Sequence, residues 1–119
     1  MTIRIYHNTR CSKSRKTLEL LQANGISPQI VAYLQEPPAA RELRALAGLL
    51  GLPLKSLLRT GEDEFKADSA KLDLDDEASL ARWLHEHPQA LERPIVVDDV
   101  KNRAVIGRPP ENVLELIAP

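Results

Sequence analysis

The sequence predicts an α/β domain built on a mixed four-stranded sheet, with a helical insertion between the second and third strands. Three observations carry this. The chain has 119 residues, one domain's worth. Pro and Gly divide it into segments whose apolar spacing reads β-α-β, then a helical block, then β-β-α. A strand–helix–strand opening calls for a parallel crossover, while a closing hairpin adds antiparallel pairing, so the sheet is mixed. The expected organisation is a single domain over residues 1–119 with the insertion at about 39–91.

The elements follow in order. Ile3 and Ile5 alternate with polar residues up to His7, the period of a short strand. Ser12 to Ala23 contains no Pro or Gly and sets Ser14, Leu18 and Leu21 on one helical face; Asn24-Gly25 supplies a left-handed stop. Ile30, Val31 and Tyr33 form a second strand. Pro37-Pro38 ends it and opens a helix with Leu43, Leu46, Ala47 and Leu50 on one face. Leu54 to Arg59 reads as another short helix, and residues 60–75, acidic and weakly patterned, as a loop or loose helix. Asp76 to His87 is helical, with Leu80, Trp83 and Leu84 inward and Pro88 closing it. Ile95-Val96-Val97 and Ala104-Val105-Ile106, separated by polar residues, make a hairpin. Pro109-Pro110 begins the last helix, with Val113, Leu114 and Ile117 on one face.

Composition excludes several classes of function. A single cysteine, Cys11, allows no internal disulfide, zinc finger or iron–sulfur cluster within one chain. A reducing, cytoplasmic setting fits this better than a secreted one. The N-terminus turns polar too early for a signal-peptide core, and no apolar run approaches the ~18 residues of a membrane span. Four aromatic residues, Tyr6, Tyr33, Phe65 and Trp83, are too few for a nucleic-acid stacking platform. His85-x-His87 has no third ligand nearby and reads as a solvated helix end, so no metal is expected. The net charge of −1 conceals an asymmetry: residues 1–59 carry nine Lys/Arg and three Asp/Glu, residues 60–92 three and ten. The basic charge is densest around the cysteine, at Arg10, Lys13, Arg15 and Lys16.

Cys11 falls between the first strand and the first helix. Free N–H groups at a helix N-terminus and nearby cations both favour thiolate, the nucleophilic form, and the same geometry attracts oxyanions. Cys11-Ser12-Lys13-Ser14 has the outline of Cys-x-x-Cys with serine in the second slot, in the strand–motif–helix context of thioredoxin-like proteins. With no second thiol, an adduct on Cys11 must be removed by an external one. A phosphatase-type Cys-x5-Arg loop is excluded because Thr17 stands where the arginine would be.

Tyr6-His7-Asn8, Cys11-Ser12-x-Ser14-Arg15, Thr17-Leu18, Tyr33-Leu34, Pro37-Pro38, Leu57-Leu58-Arg59, Glu92-Arg93-Pro94-Ile95-Val96-Val97 and Gly107-Arg108-Pro109-Pro110-Glu111 occur in that order. Together they resemble the glutaredoxin-dependent arsenate reductase family of the thioredoxin fold, from about Ile3 to Ile117, and most closely its short branch. Thr9 stands where that family usually has proline.

The resemblance implies roles by matched position. Cys11 is the nucleophile, and Arg59, Arg93 and Arg108 bind the anion. A guanidinium fork can donate two parallel hydrogen bonds to the oxygens of an arsenate dianion and stabilise charge as As–O bonds break. Pro94 is expected in the cis form, turning the backbone of Arg93 toward Cys11. His7, at the strand end, either tunes the thiolate or serves as a structural hydrogen-bonding group. Asn8 holds the turn, and Ser14, one helical turn on, is placed to donate to the sulfur. The implied reaction is reduction of arsenate to arsenite through a thiol–arsenate adduct, with glutathione as co-substrate, glutaredoxin as partner and no tightly bound cofactor. Two other readings share the fold: a monothiol thiol–disulfide oxidoreductase, which needs no three arginines, and a non-enzymatic Spx-type regulator binding RNA polymerase, against which Ser14 weighs because many such regulators carry a second cysteine there.

Overall fold

The computed structural model describes residues 2–118. Along the chain run β1 (Ile3–Tyr6), α1 (Ser12–Ala23), β2 (Gln29–Val31), α2 (Ala40–Leu50), α3 (Asp63–Asp68), α4 (Glu77–Glu86), β3 (Ile95–Asp98), β4 (Arg103–Ile106) and α5 (Val113–Ile117). Single 3-10 turns occupy Leu54–Leu57, Ser69–Lys71, Pro88–Ala90 and Pro110–Asn112. The chain forms two compact units. One comprises the residues up to Glu36 and from Arg93 onward; the other is Pro37–Glu92.

The first unit carries the four-stranded sheet, in the order β2-β1-β3-β4. β1 and β2 are parallel, and the β1–β3 and β3–β4 pairs are antiparallel, so the sheet is mixed as expected. In register, Ile30, Ile5, Val96 and Val105 form one cross-strand row. Ile3, Ile5 and Val96 pack with Leu21 of α1 and with Val113 and Leu116 of α5 in one apolar core. Full burial of an aliphatic side chain contributes about 1.5–3 kcal/mol, so these helices are held mainly by their inward faces. Those faces differ in detail from the periodicity reading. In α1, Ser14, Thr17 and Leu21 are buried and Leu18 only half so. In α5, Leu116 is buried and Leu114 faces solvent. Helix α1 ends where Gly25 takes φ +77°, the left-handed stop that Asn24-Gly25 predicted. The Arg4 guanidinium grips the Asp99 carboxylate with two hydrogen bonds of 2.8 and 2.9 Å, tying β1 to the β3–β4 turn.

The second unit is helical. Asp76 caps α4 by accepting a hydrogen bond from the Ser79 N–H at 3.2 Å. Leu80, Ala81, Trp83 and Leu84 of α4 and Leu43, Leu46 and Ala47 of α2 are buried. The acidic stretch contains a true helix, α3, centred on buried Phe65, whose ring meets that of Trp83 edge-on at 6.1 Å. Trp83 Nε1 donates to Asp68 at 2.8 Å. The two histidines are engaged rather than merely solvated. A ring nitrogen of His85 lies 2.8 Å from the Pro38 carbonyl, and His87 stacks on Trp83 at 4.3 Å. Among the described residues, no group of three His, Cys, Asp or Glu side chains is placed to hold a metal ion, and no helix is long and apolar enough to cross a membrane.

Candidate active site

Cys11 is the N-cap residue of α1, with extended backbone angles (φ −91°, ψ 120°). Its carbonyl accepts the first helical hydrogen bond, from Arg15 N–H at 3.0 Å. The loop before it is shaped by Asn8, which is buried. The Asn8 carbonyl accepts the Cys11 N–H at 3.0 Å, and its side-chain oxygen accepts the Arg10 N–H at 2.9 Å. This is the Asx turn that asparagine favours.

The sulfur makes no strict cap hydrogen bond. Burial raises its pKa, but the N–H dipoles of Ser14 and Lys13 and the guanidinium of Arg108 outweigh burial and leave it below the ordinary thiol value. Arg108 Nη1 is 3.7 Å from Sγ and also donates to the Arg93 carbonyl at 3.0 Å. A partly exposed thiolate beside a guanidinium and two helix N-terminal N–H groups can attack an electrophilic centre and receive an oxyanion at the same place.

Six of the seven other expected site residues, His7, Asn8, Ser14, Arg93, Pro94 and Arg108, belong to the same unit as Cys11. The Arg93–Pro94 peptide bond is cis, as the resemblance implied, and so is Arg108–Pro109, which the sequence reading did not anticipate. Ser14 acts on the sulfur through its main-chain N–H dipole, which lowers the thiol pKa without a strict cap hydrogen bond. Its hydroxyl turns instead to His7 Nδ1 at 2.6 Å and accepts the Asn8 N–H at 3.1 Å. A neutral ring with its proton on Nε2 lets Ser14 donate to Nδ1 while accepting from Asn8. The pKa of His7 is lowered, first by burial and then by the charge of Arg15, which favours that neutral form. Arg59 lies in the second unit, where its N–H donates to the Ala90 carbonyl at 2.7 Å and its Nε stands 3.6 Å from Glu62 Oε1.

Gly107, to which the sequence reading gave no separate role, is decisive for where Arg108 goes. Its N–H donates to the Pro94 carbonyl at 2.9 Å. A Cβ at this position would lie 2.5 Å from Thr17 Oγ1 and 2.8 Å from Pro94 Cγ. Only a glycine lets the end of β4 press against α1 and Pro94, one step before Arg108. A glycine directly after a β-branched run signals a close backbone approach, but what it approaches is decided by the fold.

The ArsC family model matches residues 6–116, spanning both the cysteine loop and the Gly107-Arg108-Pro109-Pro110 segment. The chain belongs to the ArsC family. Among ArsC relatives and structural neighbours, the chain is 48% identical to "Uncharacterized protein YfgD" of Escherichia coli K12, over 97% of this chain and 96% of that one. It is 43% identical to a Haemophilus influenzae protein named arsenate reductase, over 98% and 100% of the two chains. The solved structure of an arsenate reductase from Vibrio cholerae superposes with a TM-score of 0.91 at 42% identity, covering 98% of each chain. The ArsC fold is thioredoxin-like, in keeping with the mixed sheet and the cysteine at the start of α1.

Proposed function

We propose that this protein reduces arsenate to arsenite using thiols supplied from outside the chain. The observation that carries the proposal is the Cys11 sulfur at the head of α1 with Arg108 Nη1 at 3.7 Å, in an ArsC chain similar to proteins named arsenate reductase. The Cys11 thiolate attacks arsenic and a hydroxyl leaves as water, forming a thiol–arsenate adduct. Arg108 and Arg93 neutralise the oxygens; for Arg59 an anion-binding role rests on its Leu57-Leu58-Arg59 motif alone. Cys11 is the chain's one cysteine, so the reducing thiols come from elsewhere. The glutathione sulfur attacks the Cys11 sulfur, and the S–As bond breaks with its electron pair left on arsenic, so that arsenite departs; a glutaredoxin thiolate then takes the glutathionyl sulfur from the Cys11–glutathione disulfide and releases the Cys11 thiolate. Arsenic gains the two electrons that the two thiols lose on forming a mixed disulfide. Arsenate and two thiols thus become arsenite, one disulfide and one water, with no resident cofactor required. Glutathione and glutaredoxin place the reaction in the reducing cytoplasm.

The test is NADPH oxidation coupled through glutathione reductase, glutathione and glutaredoxin, with and without arsenate. Arsenate-dependent turnover that vanishes in Cys11→Ser is expected. Turnover without arsenate on a glutathione mixed disulfide would replace the proposal with the thiol–disulfide oxidoreductase reading.

A further inference from the structure

The backbone that presents Arg108 to the sulfur is clamped by one side chain. After β4 the chain makes a tight turn in which Arg108 N–H donates to the Ile106 carbonyl at 2.9 Å. Asn112 ends the 3-10 turn that follows, and its own N–H donates to the Pro109 carbonyl at 3.0 Å. Its side-chain Nδ2 reaches back to both carbonyls that bracket Gly107 and Arg108: Ile106 O at 3.1 Å and Arg108 O at 3.2 Å. A primary amide has two N–H donors, and here each has its own carbonyl. Ile106 O therefore accepts from both Arg108 N–H and Asn112. The amide bridges the start and end of the three-residue segment that aims the guanidinium. Aspartate is nearly isosteric but would set a carboxylate against two carbonyl oxygens, and alanine removes both bonds, leaving the Ile106 carbonyl its bond from Arg108 N–H and the Arg108 carbonyl without the amide.

We propose that Asn112 is a positioning residue: by bridging the Ile106 and Arg108 carbonyls it fixes the turn that holds the Arg108 guanidinium against the Cys11 sulfur. Its amide is turned to these two carbonyls and not to the sulfur, so its effect on Cys11 passes through Arg108. This inference concerns the thiol and stands whether or not arsenate is the substrate.

The experiment measures iodoacetamide alkylation of Cys11 against pH in the wild type, Asn112→Ala, Arg108→Ala and the double variant, with circular dichroism to confirm folding. Arg108→Ala is expected to raise the alkylation midpoint by about one pH unit, roughly tenfold less thiolate well below the midpoint. Asn112→Ala is expected to raise it in the same direction, with about threefold less thiolate, and to add nothing in the Arg108→Ala background. An Asn112→Ala midpoint equal to the wild type's, or a double variant whose shift is the sum of the two single ones, overturns the proposal. If Asn112→Ala does not fold, Asn112→Ser, which keeps one donor on a shorter arm, is judged against the same two outcomes.

Discussion

Replacing Gly107 with alanine puts a methyl group where there is no room for it. The added Cβ would lie 2.5 Å from Thr17 Oγ1, 2.8 Å from Pro94 Cγ and 3.1 Å from Thr17 Cγ2. Comfortable contacts between carbon atoms are about 3.5–4.0 Å, so the shortfall is roughly 0.7–1 Å. Neither neighbour can yield easily. Thr17 is buried and β-branched, and its hydroxyl donates to the Lys13 carbonyl at 2.8 Å. Pro94 is a closed ring with no side-chain torsion to turn. The end of β4 must therefore retreat and carry Arg108 with it. Overpacking of this kind costs about 1–3 kcal/mol, and a misplacement near 1 Å at a reacting group lowers turnover by about 10²-fold. Urea unfolding should show the stability loss, and the Cys11 alkylation midpoint should rise as the guanidinium moves off. Thr17→Ala removes two of the three contacts, so the double variant should recover part of the stability that Gly107→Ala loses. A Gly107→Ala protein with wild-type stability and alkylation would refute the reasoning, as would a double variant whose losses simply add.

Other outcomes follow from the same geometry. Alkylation of Cys11 in the wild type should reach its midpoint below the ordinary thiol value of 9.0, because the thiolate is the reacting form and the folded pKa is depressed. A midpoint at or above that value contradicts the assigned electrostatics. Arg93→Ala should raise the barrier to arsenate reduction by at least ~2 kcal/mol, the scale of losing one oxyanion donor; unchanged kcat/KM would remove Arg93 from the anion site. Ser14→Ala should cost about 1–3 kcal/mol of stability, since His7 Nδ1 and the Asn8 N–H lose their common partner in a buried setting, and denaturant titration measures this directly. Asp76→Ala should lower the melting temperature through loss of the α4 cap. The wild-type carboxyl has its pKa lowered mainly by the Ser79 N–H, so that advantage should be full above the ordinary aspartate range of about 4 and vanish as pH falls through the depressed value. A melting-temperature gap between the two proteins that does not change with pH would contradict it.

Much of the fold was legible because its signals are local. The bounds of α1 follow from the absence of Pro and Gly over Ser12–Ala23 and from Gly25 after it. The hairpin strands follow from two β-branched runs with a polar gap between. Where the reading fell short, one-dimensional spacing could not rank neighbours on a face. Leu18 and Leu114 looked like core residues by hydrophobicity, yet Thr17 and Leu116 are the buried ones, because the angle at which each helix meets the sheet selects among adjacent positions. Helix α3 was obscured because its single buried residue, Phe65, sits among charged neighbours that give no amphipathic stripe. The Ser14 hydroxyl illustrates the same limit at the site: its distance from Cys11 along the helix was correct, but the choice between sulfur and His7 depends on where β1 ends.

The sequence by itself determined the chemistry available at Cys11. It is the chain's one thiol, set at the N-cap of a helix, and its nearest dipoles belong to Lys13 and Ser14, two and three residues on. Helix capping acts over that short span, so the sequence states it outright. Only the tertiary structure decided which arginine joins it. Arg108 lies 97 residues away and reaches the sulfur because β3 pairs with both β1 and β4, Gly107 closes against Thr17 and Pro94, and Asn112 clamps the turn between. Strand register and close packing arise from contacts between distant segments, and no spacing along the chain encodes a distance of 3.7 Å across the fold.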